Sequence, residues 1–124
     1  MIRASLSGPD DVACVAVRYQ IAQKLHACTE VFTEPPPNDR FRDLSDLLML
    51  EALIDDLASV RSACVEIFEL RGKHSWPPTV TVFEGWPEQY AALAAELDFE
   101  PSEVHAAASN VQGLIEAIDR AIDA

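Results

Sequence analysis

Lys24, Asp43 and Asp46 are the residues whose types and spacing could do chemistry in this chain. Lys24 falls in a helical stretch beside the apolar residues Ile21, Leu25 and Cys28, so its ammonium can stand at the rim of a core and meet a phosphate chain. A cation so placed can offset negative charge that builds on a phosphate leaving group. Asp43 and Asp46 lie three apart at the start of a second helix, so they share one face where the helix dipole favours carboxylates. Each has a plainer reading: a lysine snorkelling past apolar neighbours, and an Asp43 that caps its helix or pairs with Arg40. Asp46 is harder to explain away, because Leu44, Leu47 and Leu48 flank it and a carboxylate in such company needs a cation. If the two helices form a hairpin, Lys24 can supply that cation.

The elements that must position these groups read mostly as helices. A helical period runs from Tyr19 until Pro35, in the proline-rich loop, ends it; a second spans about Phe41 to Ile54 with Asn38 or Asp39 as N-cap. Leu44, Leu47, Leu48, Leu50 and Leu53 wrap widely round that second helix and predict a central place for it. Asp55 and Asp56 offer a cap for a third helix, with Leu57, Val60, Cys64, Ile67, Phe68 and Leu70, closing at Arg71 and Gly72. Pro87 opens a fourth, with Tyr90, Leu93 and Leu97 inward. A fifth begins near Ser102, its face made by Val104, Ala108, Val111, Ile115, Ile118 and Ile122. Two valine-rich runs, at 12–17 (VACVAV) and 79–83 (TVTVF), read as short strands. The fold class expected is mainly α: a small single-domain bundle of about five helices, with one or two short strands near the N-terminus or in a loop.

Composition narrows the functions such a bundle can serve. The chain has 124 residues, enough for one core, and is too apolar for a disordered tail, at 49% hydrophobic. Nine basic residues against 21 acidic ones give a formal charge of −12, which repels nucleic acid and anionic lipid. Direct nucleic-acid binding and membrane association are therefore not expected. Cys14, Cys28 and Cys64 are odd in number, lie apart within apolar runs, and predict buried free thiols in a cytoplasmic protein. No signal-peptide or membrane-spanning segment is evident.

The remaining titratable groups carry less. His26, two residues after Lys24, faces away from it and reads as a partly exposed polar contact. His74 sits with Arg71 and Lys73 in the chain's basic cluster, where a helix C-terminus favours cations. His105 has no nucleophile partner at motif spacing. Asp10–Asp11 and Asp55–Asp56 lack the convergence from rigid elements that a metal site needs. Trp76 and Trp86 flank a proline-containing loop and read as core plugs or interface anchors.

The pattern QKLHA at 23–27, a proline-rich loop and then RDLSDLL at 42–48 resembles the C-terminal half of the AbiEii-type, or MenT-like, nucleotidyltransferase toxins of toxin–antitoxin and abortive-infection systems. The resemblance is densest from Gln20 to Leu50 and weaker from Trp76 to Leu97. It implies that Lys24 is the lysine of the family's third motif and Asp46 the aspartate of its fourth, with Asp43 and Arg42 beside them. It further implies a Mg-bound nucleoside triphosphate, an RNA acceptor, and an antitoxin as partner. The family's metal-binding Gly-Ser and Asp-x-Asp pair has no match in this sequence. The expected role is thus the helical, nucleotide-closing portion of such an enzyme, inactive alone, with no cofactor of its own and another segment or chain supplying the metal-binding half. The alternative is a standalone acidic interaction module, homodimeric through its apolar strand.

Overall fold

A computed structural model describes residues 9–121, with side chains from Val17 onward. Five helices follow in order: α1 (Pro9–Thr29), α2 (Arg42–Glu51), α3 (Leu57–Arg71), α4 (Trp86–Leu97) and α5 (Val104–Arg120). Their ends obey local chemistry. The Asp56 carboxylate accepts from the Ala58 amide at 3.1 Å and the Ser59 hydroxyl at 2.7 Å, capping α3. Gly72 closes α3 in the left-handed region at φ 63°, which costs a glycine nothing. Pro87 stands in the first turn of α4, where its missing N–H is no loss. Glu103 accepts from the His105 and Ala106 amides to start α5.

Neither valine run forms a strand, and no strand occurs among the described residues. Residues 12–17 belong to α1. Nothing in the sequence interrupts helical continuity between Asp10 and Thr29, and the strand preference of a few valines yields to that continuity because it depends on packing against a partner strand. Pro9 stands at the first position of this helix, where its missing N–H is no loss. Residues 79–83 are extended after Pro77 and Pro78 but pair with no strand; the Val80 amide donates to the Gln112 side chain of α5 at 2.8 Å. The strand-edge basis for a homodimer goes with the strand.

α1 lies between α3 and α2, and α2 in turn touches α5 and α4. The core gathers Ile21, Leu25 and Cys28 from α1, Leu44 and Leu47 from α2, Val60, Cys64 and Phe68 from α3, Trp86 and Tyr90 from α4, and Val104, Val111, Ile115 and Ile118 from α5. Burial at about 1.5–3 kcal/mol per large side chain makes this cluster the main stabilising term. α2 is central as expected, but it ends at Glu51, so Leu53 falls in the following turn and is 60% exposed. Leu70 and Leu97 also face outward. Cys28 and Cys64 are buried free thiols, as expected; the side chain of Cys14 and the whole of Ile122 lie outside the described residues. Burial pushes the Cys64 thiol up to about 12 and raises Cys28 as well, with Asp43 adding to the effect on Cys28.

Candidate functional site

The hairpin of α1 and α2 brings Lys24 to both aspartates. Its Nζ donates to Asp46 Oδ2 at 3.0 Å and lies 3.7 Å from Asp43 Oδ1. Arg40 reaches the same carboxylate from the other side, Nε donating to Asp43 Oδ2 at 3.0 Å and one terminal nitrogen to Oδ1 at 3.4 Å. That pairing holds the Arg40 guanidinium above its usual value. Asp43 is the buried member, its side chain 4% exposed, whereas Lys24 and Asp46 are each 26% exposed. Asp43 faces the α1 contact, while Asp46, further along α2, sits at its open edge.

The cluster borders an open cleft of about 350 Å³ lined by Gln20, Gln23, Lys24, Ala27, Arg40 and Arg71. Three of these six side chains are cations, in a protein whose net charge is −12. Lys24 and Arg40 are matched by Asp46 and Asp43, so the positive charge left over in the cleft is that of Arg71. Arg42 stands apart, exposed at the first position of α2 and without a side-chain bond among the described residues.

Asn38 is the residue whose role the sequence hid. It does not cap α2, whose N-cap is Phe41 with no side-chain hydrogen bond. Instead it is 1% exposed and fully engaged. Its Nδ2 donates to the carbonyls of Ala27 at 2.8 Å and Glu30 at 2.7 Å, and its Oδ1 accepts from the Arg40 amide at 2.8 Å. Its own carbonyl accepts from the Trp86 indole at 2.8 Å. The sequence signal was an asparagine just beyond a proline run, which marks a turn without revealing its tertiary partners.

Behind the cluster, on the α3 side of α1, lies a second polar group. His26 is 2% exposed, not partly exposed as its distance from Lys24 implied, because the face of α1 opposite α2 is covered by α3. Its ring lies 4.6 Å from that of His74 and 4.9 Å from that of Phe68, and neither nitrogen has a hydrogen-bond partner. His74 Nε2 pairs with the Thr29 hydroxyl at 2.8 Å. Burial lowers the pKa of both histidines, and for His26 the neighbouring His74, Arg71 and Lys73 lower it further while Glu30 opposes them. Trp86 is a core plug and Trp76 is partly buried, its indole donating to Asp119 at 2.9 Å.

Among the described residues no group of three or more His, Cys, Asp and Glu side chains converges to hold a metal ion, and no helix is long and apolar enough to cross a membrane. Asp43 and Asp46 are already matched by Arg40 and Lys24, so this set does not by itself fit a resident divalent cation. What it fits is an anion that competes with the carboxylates for Lys24. Against known families, the model for the nucleotidyl transferase AbiEii toxin of the type IV TA system matches residues 2–124. No curated protein matches the chain.

Proposed function

The chain belongs to the AbiEii nucleotidyl transferase toxin family, and from that premise we propose that it forms the helical portion that closes over the nucleotide. Lys24 takes the phosphate chain of a nucleoside triphosphate in the cleft it shares with Gln20, Gln23 and Arg40. An acceptor hydroxyl, giving up its proton to solvent, bonds through its oxygen to the α-phosphorus as the bond from that phosphorus to the α–β bridging oxygen breaks, and pyrophosphate leaves with its charge offset by Lys24. Asp46 and Asp43 hold the ammonium in place before the nucleotide arrives. Arg42, at the exposed start of α2, meets the nucleotide as it enters.

The observation that carries the reading is the 3.0 Å bond from Lys24 to Asp46, with Asp43 at 3.7 Å, beside a cleft rich in cations. A lysine merely snorkelling to solvent has no reason to meet two carboxylates from another helix. Carboxylates for the metal come from a Gly-Ser and Asp-x-Asp segment outside this sequence, in the same or another chain, and without it these residues do not catalyse. The family's toxin–antitoxin setting makes an antitoxin the partner this reading expects.

The test is transfer of label from an α-phosphate-labelled nucleoside triphosphate to RNA by the protein assembled with its metal-binding segment. Lys24→Ala is expected to abolish transfer with the helical circular-dichroism signal intact. Transfer at the unsubstituted rate would remove Lys24 from the site.

A further inference from the structure

We propose that Asn38 is a positioning residue that sets the distance between Lys24 and its two aspartates, an inference that rests on the role given to Lys24 above. α2 brings its own first turn into place without a side-chain cap, so something else must fix where Asp43 and Asp46 stand relative to α1. A continuous series of hydrogen bonds does so. It begins at the end of α1, where the Ala27 and Glu30 carbonyls, left over by the ending helix, accept both amide hydrogens of Asn38. It passes through Asn38 Oδ1 to the Arg40 amide at 2.8 Å, and from the Arg40 carbonyl to the Asp43 amide at 3.1 Å. Ala27 is one helical turn beyond Lys24 on α1. The series therefore joins the turn of α1 next to the ammonium to the residue carrying the buried carboxylate.

Asn38 has no freedom in this arrangement. Both donors face carbonyls and its acceptor faces an amide, so turning the side-chain amide over would break every bond it makes. Its main-chain carbonyl is held in addition by the Trp86 indole, and Trp86 is itself fully buried. A buried polar group so completely satisfied specifies one geometry more than it adds stability. The linker of residues 30–41 is otherwise largely exposed, with Asn38 its one buried residue. Loss of the amide frees the linker, and with it the register of α2 on α1.

The experiment compares the unsubstituted protein with Asn38→Ala in a proton–nitrogen correlation spectrum of the lysine ammonium groups, the Lys24 signal being assigned by its loss in Lys24→Met. An ammonium held by carboxylates exchanges slowly enough to be seen. The expected result is that Asn38→Ala loses the Lys24 signal while the backbone amide spectrum stays that of a folded helical protein. In the transfer reaction kcat falls about 10- to 100-fold, the scale of a misplacement near 1 Å, with KM little changed. A retained Lys24 signal in folded Asn38→Ala overturns the proposal and leaves Asn38 a stabiliser of the loop. A lost signal with unaltered transfer supports the positioning role and refutes instead the role of Lys24 in the reaction. Should Asn38→Ala not fold, Asn38→Ser, a polar side chain too short to reach the Ala27 and Glu30 carbonyls and the Arg40 amide together, is read in its place. A weakened Lys24 signal supports the proposal there and an unchanged one overturns it.

Discussion

Removing the two cations that face Asp43, singly and then together, gives results that a list of ion pairs would not lead one to expect. Arg40→Met loses bonds of 3.0 and 3.4 Å to a carboxylate that is only 4% exposed. Hydrogen bonds to charged groups contribute about 1.5–3 kcal/mol when protected from solvent. Arg40 is itself half exposed, and screening brings the expected cost to about 1 kcal/mol. Lys24→Met, with 26% of its side chain in solvent, costs about 0.5–1 kcal/mol on the same grounds. In each single variant Asp43 keeps one cation. In the double variant it keeps none, and an uncompensated buried carboxylate costs about 3–5 kcal/mol. The excess over the sum of the singles is therefore about 1–3.5 kcal/mol, within reach of urea denaturation monitored by circular dichroism. Each kcal/mol corresponds to roughly 4 °C in Tm for a chain of this size. Adding Asp43→Asn to the double variant removes the stranded charge and is expected to recover most of the excess. Strict additivity, or no recovery when Asp43→Asn is added, would refute the claim that Asp43 requires a cation and weaken the view of this cluster as an electrostatic clamp.

Two further predictions follow from groups near the site. His26 and His74 have lowered pKa values in the folded protein, so their contribution is fully present above their unfolded value of about 6.5 and is lost as pH falls from there toward the folded values; urea midpoints measured from pH 7.5 to 5.5 should decline less in His26→Leu than in the unsubstituted protein, and equal slopes would exclude His26 as a source. Gly72→Ala, at φ 63° with open space where the new Cβ would stand, should cost about 1 kcal/mol from backbone strain alone, and an unchanged urea midpoint would show that α3 can end in another conformation.

The parts of the site that were legible in the sequence were those fixed by spacing along one helix. Asp43 and Asp46 share a face because they lie three positions apart, and Asp46 among leucines called for a cation that an antiparallel neighbour could provide. What spacing could not tell was which face of a helix meets which neighbour. His26 does point away from Lys24, but away from Lys24 means into α3 and not into water. Leu70 and Leu97 follow helical periods and are nonetheless exposed, since an apolar stripe wider than its partner leaves its margins uncovered, whereas Leu53 is exposed because α2 ends before reaching it. The valines of 12–17 were misjudged for a related reason: strand preference is a statement about a pleated surface to pack on, and none is present among the described residues. Asn38 was invisible as a junction because three of its four partners are main-chain atoms, which any sequence would offer.

The long connection between α3 and α4 is bound to α5 by side chains and not by a sheet: Gln112 takes the Val80 amide and Asp119 takes the Trp76 indole, while Arg61 of α3 donates to the Asp119 carbonyl at 3.1 Å. These bonds make the connection and the last helix a single unit of local unfolding. Amide protons at Val80 and along the second half of α5 should then exchange with solvent at matched rates, and a protease that nicks the connection will loosen the C-terminal helix before it disturbs the α1–α2 hairpin.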